Sequence, residues 1–259
     1  MTEPSEKPGD KSGEGTLLSH LVELRSRLLK VAAAVILVFV ALLPFARRIF
    51  EFVSAPLRDV LPGGQMIATA VASPLLAPFK LTFYVALFIA MPIVLYQTWA
   101  FVAPGLYKKE KRFAVPLLAS SILLFYSGIA FAYYIVFPLI FGFMTGIAPE
   151  GVEVMTDVTA YLDFIMMIVL AFGLAFEVPI AAVLIVWTGL TSIEQLAKAR
   201  PYVFLGAFIV GMFLTPPDVI SQTLLAVPIY LLYELGIIMA RLLAPKASDK
   251  AEEPAATDA

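Results

Sequence analysis

The stretch KLTFYVALFIAMPIVLYQTWAFV, residues 80–102, decides the fold of this chain. It contains no charged residue after its first lysine. About 20 consecutive apolar residues are enough for a helix to cross the roughly 30 Å hydrocarbon core of a bilayer. We therefore predict that residues 80–102 form a transmembrane helix.

Five further segments of the chain have the same apolar character. The six predicted spans cover approximately residues 28–45, 80–102, 113–143, 161–187, 202–214 and 219–239. The fifth of them would reach only about 20 Å as a helix, which is shorter than the hydrocarbon core. Residues 48–60, between the first two spans, have a helical period of apolar side chains. The sequence predicts an all-α integral membrane protein of six helices, with short fifth and sixth spans.

The composition of the whole chain supports this fold class. Hydrophobic residues make up 61% of the 259 residues, and charged residues make up 15%, whereas soluble domains carry about 25% charged residues. The chain has no cysteine and a single histidine, His20, so disulfides, thiolate chemistry and a histidine metal cluster are excluded. We expect no cofactor and no metal.

Two polar tails flank the predicted transmembrane domain of residues 17–242. Residues 1–16 are rich in Pro, Gly and Glu, which predicts disorder, and they lack the apolar core of a cleavable signal peptide. Residues 243–259 have the same character and are also predicted to be disordered.

The distribution of Lys and Arg predicts the orientation. If the N-terminus is cytoplasmic, most of the 18 basic residues fall in cytoplasmic segments, including four in LYKKEKR, residues 106–112. The opposite side then holds only Arg47, Arg48, Arg58 and Lys80. The positive-inside rule therefore places both termini in the cytoplasm.

Prolines inside or near the ends of the predicted spans indicate bent helices. They are Pro92, Pro116, Pro138, Pro179 and Pro228. Each removes a backbone N–H donor and bends or interrupts a helix. Asp218, directly after a pair of prolines, is well placed to cap the sixth span.

Glu177 lies deep inside the fourth predicted span, in FGLAFEVPI. A charge at that depth costs about 2.5–3.5 kcal/mol on insertion scales, and no Lys or Arg stands at a similar depth in another span. The acid is therefore expected to be neutral or hydrogen bonded, for example to Gln222. We favour a functional role over a packing hydrogen bond, which is worth about 0.6 kcal/mol.

Two further acids stand in the predicted cytoplasmic segments. Glu23, in SHLVELRSRLL, precedes Arg27 by four residues on a short amphipathic helix. The residues alone support only an i,i+4 ion pair there, worth about 0.2–0.5 kcal/mol. Glu110 is the one acid among the four bases of LYKKEKR. The local sequence alone indicates that Glu110 is a solvated acid in a basic loop.

Several motifs, in order along nearly the whole chain, resemble those of one family. They are SHLVELRSRL, SAPL, MIATAVASP, YQTWAFVAPGLYKKEKR, FGLAFEVPI, KARPYV and FLTPPDVISQTLLAVPIYLLYELG. They are similar to segments of TatC, the multispanning receptor subunit of the twin-arginine protein translocase. The resemblance implies six helices forming a concave wall in the bacterial inner membrane, with both termini cytoplasmic.

The resemblance also implies a function and its residues. The family binds twin-arginine signal peptides of folded preproteins, assembles with TatA-type and TatB-type single-span subunits, and uses the protonmotive force without covalent catalysis. Glu23, Phe101 and Glu110 match its signal-peptide site. Glu177 and Gln222 match polar positions in the membrane that dock partner helices. The chemistry of glutamate is compatible with binding of two arginines, since a carboxylate accepts two hydrogen bonds from a planar guanidinium group.

Two other function classes fit the sequence less well. An ion-coupled small-solute transporter would use Glu177 as a proton carrier, but the sequence shows no inverted repeat and no second buried charge. An intramembrane protease would need a serine and a histidine within the membrane, and His20 lies outside the predicted spans.

Overall fold

The computed structural model describes residues 11–60, 67–102, 114–147, 157–215 and 218–243. Within these ranges every extended regular element is a helix, and the only β pairing is an isolated parallel bridge between Ile67 and Asp157. The helices are α1 (Lys11–Leu42), α2 (Ala46–Val60), α3 (Ser73–Val102), α4 (Ala114–Phe131), α5 (Phe137–Ile147), α6 (Val158–Ala175), α7 (Val178–Trp187), α8 (Ile193–Lys198), α9 (Arg200–Leu214) and α10 (Val219–Leu243). The predicted all-α class is confirmed.

Five helical segments of the described chain are long and apolar enough to cross a membrane. They are Leu21–Ala55, Ser73–Phe101, Val115–Phe143, Val158–Trp187 and Val219–Leu243. The predicted fifth span corresponds to α9, which has 15 residues and is too short to be counted with them. The six-span count and the orientation of the termini stay predictions.

Several predicted helix boundaries differ from the structure, most clearly at the two ends of the predicted domain. The helix α1 begins at Lys11, so residues 11–16 of the predicted N-terminal tail are helical. The helix α10 has 25 residues and ends at Leu243, so the expectation of a short sixth span is wrong. Its extension beyond the predicted end, ARLL, consists of strong helix formers, and Arg241 in the last turn interacts favourably with the negative end of the helix dipole.

The described chain divides into two compact units. The first contains α1, α2 and α3, α4 up to Ile122, and the parts of α5 and α6 between Phe141 and Met166. The second contains the rest of α4 and α5 and the chain from Met167 onward.

In the first unit, α1 and α2 pack against α3. The rings of Phe39 and Phe83 meet edge to face at a centroid distance of 5.8 Å. At the N-terminal end of α3, the Thr159 hydroxyl donates to Ser73 Oγ at 2.9 Å, and Lys80 pairs with Asp163. The helix α2 contains the predicted helical segment 48–60.

Asp157 caps α6 and holds a neighbouring segment. Its Oδ1 accepts the backbone N–H groups of Thr159 and Ala160 at 2.9 and 3.0 Å. Its Oδ2 accepts the N–H and hydroxyl of Thr69 at 2.9 and 2.8 Å. The hydrogen bonds from Ala160 and then Thr69 stabilise the carboxylate, and they lower the pKa of Asp157 to about 2.

In the second unit, α10 packs on α7 and α9. Asp218 caps α10 as predicted, since its Oδ1 accepts the Ser221 N–H at 2.7 Å. The close approach of α7 favours glycine on α10, because a Cβ at Gly236 would lie 3.1 Å from both Ala182 Cβ and Pro179 Cα. Small residues at such contacts let helix backbones approach closely in membranes.

A π-helical segment, Ala132–Val136, joins α4 to α5. The Phe137 N–H bonds to the carbonyl of Ala132, five residues earlier. Pro138 follows directly and has no N–H to continue the α-helical ladder, so the wider turn accommodates the missing donor. The predicted bend at Pro138 therefore takes the form of a π bulge.

Candidate functional site

The Glu23 side chain is held on α1 by Arg27. The Arg27 Nε and Nη2 atoms both donate to Glu23 Oε1, at 3.0 and 2.5 Å. Glu23 is 36% exposed and Arg27 is 21% exposed. The i,i+4 ion pair that the sequence suggested is therefore present.

Arg27 also reaches from α1 to the end of α3. Its Nη1 donates to Gln97 Oε1 at 3.2 Å, and its Nη2 donates to the carbonyl oxygen of Ala100 at 3.0 Å. That carbonyl belongs to the last turn of α3, which ends at Val102. The last four carbonyls of a helix lack intrahelical donors, and they form the negative end of the helix dipole. The end of α3 is thus a favourable place for a guanidinium group.

Phe101 follows Ala100 in the last turn of α3 and is half-buried. The structure therefore brings Glu23 and the segment of Phe101 together, through the Arg27 bridge. Glu110 lies outside the described residues, so its place beside Glu23 stays a prediction. Sequence reasoning missed Gln97 and Ala100, although Gln97 is an amide inside an otherwise apolar run.

Glu177 lies at a helix break in the second unit. The fourth predicted span is two helices, because α6 ends at Ala175 and α7 begins at Val178. The Glu177 N–H bonds to the Leu174 carbonyl at 3.1 Å, in a tighter turn than an α-helix makes. Pro179 has no N–H and occupies the first turn of α7, where none is needed. Glu177 is half-buried in this turn.

Gln222 joins α10 to α9. Its Nε2 donates to the carbonyl of Phe208 at 2.7 Å. It also packs closely on α9, since a Cβ at Gly211 would lie 3.2 Å from the Gln222 Cγ. The amide of Gln222 is therefore committed to a contact within the chain.

A charged cluster that sequence reasoning passed over lies between α9 and α10. Arg200 donates to Glu234 through Nη2 to Oε2 at 2.8 Å, and its Nε lies 2.7 Å from Oε1. The Tyr230 hydroxyl donates to Glu234 Oε1 at 2.9 Å, and the Tyr233 hydroxyl donates to the Leu196 carbonyl at 2.7 Å. Glu234 is a second acid within a predicted span, and its ion pair with Arg200 explains how it is tolerated there.

Comparison with known proteins decides the family. A family model described as TatC, Sec-independent protein translocase protein, matches residues 19–228. The chain belongs to the TatC family. It is 57% identical over 237 residues to the TatC protein of Escherichia coli strain K12, covering 91% of this chain and 92% of that protein. It is 56% identical over 250 residues to the TatC protein of Azotobacter chroococcum mcd 1, covering 96% of each.

A solved structure is similar over most of the fold. The crystal structure of a twin-arginine translocase receptor, TatC, is 39% identical to this chain with a TM-score of 0.78. The match covers 86% of this chain and 98% of that chain. Membership of the TatC family makes this chain a multi-pass membrane protein of Sec-independent protein translocation, with a role in transport rather than catalysis. The small-solute transporter alternative has no support from the comparisons.

Proposed function

We propose that this chain is the receptor and core subunit of a twin-arginine translocase, and that Glu23, Phe101 and Glu110 bind the signal peptide. One structural observation carries the proposal. The Glu23 carboxylate is fixed beside the C-terminal end of α3, where a guanidinium is already accommodated by Gln97 and Ala100. The same surroundings suit an arginine of the peptide.

The chemistry of this surface favours arginine over lysine. A guanidinium group is a planar fork of N–H donors, whereas an ammonium group is a compact point charge. Carboxylates and helix-end carbonyls offer several oxygens in a fixed arrangement. Glu23 and Glu110 would each receive one of two adjacent arginines. Phe101 would provide apolar surface beside them.

The same proposal extends to partners and location. The chain would lie in the bacterial cytoplasmic membrane with both termini in the cytoplasm, and associate with TatA-type and TatB-type single-span subunits and with further copies of itself. The protonmotive force would drive the export of folded preproteins. The half-buried Glu177 supports a partner-docking role in the membrane. An ionisable side chain within a membrane span costs free energy, and such residues generally have a functional role. Gln222 would support the same surface by fixing α10 to α9.

The receptor role is tested by binding of a labelled twin-arginine signal peptide to membranes that contain the full chain. Glu23→Ala and Glu110→Ala are each expected to weaken binding by about tenfold to a hundredfold, since each removes a charge-assisted hydrogen bond worth about 1.5–3 kcal/mol. The amount of protein in the membrane should not change. Equal binding by both variants and the unaltered protein would contradict the proposal.

A further inference from the structure

The Arg27 guanidinium is more enclosed than the carboxylate that it binds. Arg27 is 21% exposed and Glu23 is 36% exposed. Its hydrogen bonds reach three oxygen acceptors on two helices: Glu23 on α1, and Gln97 and the Ala100 carbonyl on α3. The fixed member of this pair is therefore Arg27, and Glu23 is positioned by it.

Arg27 uses only one oxygen of the Glu23 carboxylate. Both of its contacts, from Nε and Nη2, go to Oε1. The Oε2 atom receives no hydrogen bond from the part of the chain that the structure describes. A carboxylate has two oxygens and about four acceptor positions, so the partly exposed Glu23 retains an acceptor.

We infer that Arg27 is a positioning residue for peptide recognition, holding Glu23 by Oε1 against the end of α3 so that Oε2 receives a guanidinium of the signal peptide. This inference rests on the proposed receptor function. It assigns the selectivity for arginine to geometry rather than to net charge, because Arg27 already neutralises Glu23. It also gives Gln97 and the Ala100 carbonyl a role as the anchors of Arg27.

The removal of Arg27 has a distinctive expected effect. Without its partner, Glu23 is free to change rotamer and becomes a net negative charge. A mobile carboxylate attracts an ammonium about as well as a guanidinium, since both then act as point charges. Binding of a twin-arginine peptide should weaken, while binding of a twin-lysine peptide should stay the same or strengthen. The ratio of the two affinities is therefore the informative quantity.

The experiment measures dissociation constants of fluorescent twin-arginine and twin-lysine peptides with the full-length chain in lipid nanodiscs. Arg27→Gln should lower the arginine-to-lysine preference about tenfold, equivalent to about 1.4 kcal/mol. Arg27→Lys should lower it as well, because lysine keeps the charge but lacks the planar fork. The matched control is Lys30→Gln, which removes a base from a shallow groove whose described lining residues all belong to α1, and it should leave the preference unchanged.

A second variant separates positioning from simple loss of stability. Gln97→Leu removes one anchor of Arg27 and should lower the preference about threefold, with no further loss when it is combined with Arg27→Gln. A merely structural role would weaken both peptides equally and leave their ratio unchanged.

Three outcomes would overturn the inference. An unchanged ratio in Arg27→Gln would show that Arg27 does not position Glu23. Tighter twin-arginine binding by Arg27→Gln would show that Arg27 instead occupies the peptide's place. If the unaltered chain shows no preference for arginine, the receptor proposal itself is wrong, and the inference is wrong with it.

Discussion

Gly128 marks a contact between α4 and α6 that has no room for a side chain. A Cβ at this position would lie 2.6 Å from the carbonyl oxygen of Phe172, and 3.0 Å from both the Phe172 carbonyl carbon and the Phe176 Cγ. The nearest atom belongs to a helix backbone, so relief requires the two helices to move apart. Gly128→Ala is therefore expected to destabilise the protein.

The magnitude follows from two opposing effects. Overpacking of a close contact typically costs about 1–3 kcal/mol, and replacing glycine by alanine within a helix returns about 0.5–1 kcal/mol. The net loss for Gly128→Ala should be at most about 2.5 kcal/mol, with a central value of about 1 kcal/mol. The matched control is Gly142→Ala on α5, where no atom from other parts of the described chain lies within 4 Å of the added Cβ. Only the favourable helix contribution remains there, so this variant should be neutral or slightly more stable.

The assay is thermal unfolding of the purified protein in a single detergent. Unfolding is measured as the fraction of monodisperse protein that is lost from gel filtration after heating. The midpoint should fall for Gly128→Ala and stay equal or rise for Gly142→Ala. Equal midpoints for the two variants would refute the argument, because they differ only in the space around the added methyl group.

Three other predictions concern polar groups. Glu234→Gln should lower the thermal midpoint only slightly, because it weakens the pair with Arg200 and both groups are partly exposed; a midpoint equal to that of the unaltered protein would contradict the proposed role of this pair. The pKa of Asp157 is lowered to about 2 by hydrogen bonding, so its contribution to stability is present above about pH 4 and is lost as the pH falls toward 2. Thermal unfolding of Asp157→Asn should accordingly differ from that of the unaltered protein at pH 6 and converge with it near pH 2, and a constant difference would disprove this assignment. Glu177→Ala should leave peptide binding mostly intact and reduce co-purification of TatA-type and TatB-type subunits; normal co-purification with normal export would argue against partner docking.

Much of the helical architecture was predictable because apolar length and proline position are local properties. The long apolar runs correspond to helices, the periodic residues 48–60 lie in α2, and Asp218 caps α10. The helix interruptions that the sequence did not predict in detail depend on how the chain accommodates proline. The fourth predicted span is broken before Pro179, and the third contains a π bulge before Pro138. A proline predicts that a donor is missing, but the packing decides how the helix adjusts.

The candidate site was only partly predictable for a similar reason. The spacing of Glu23 and Arg27 indicated an ion pair, and that pair is present. Its extension to Gln97 and Ala100 depends on the register between α1 and α3, which no local pattern contains. The Arg200–Glu234 pair likewise joins residues far apart along the chain. The roles of Phe101 and Glu110 came from the family resemblance, and they stay predictions.

Site-specific photocrosslinking to a labelled twin-arginine signal peptide tests the central claim most directly. Photoreactive residues would be placed singly at positions 23, 101, 110, 177 and 222 of the full chain in membranes. The receptor account predicts adducts from positions 23, 101 and 110 that disappear with a twin-lysine peptide, and weak or no adducts from positions 177 and 222. Adducts confined to positions 177 and 222, or equal adducts with both peptides at position 23, would contradict it.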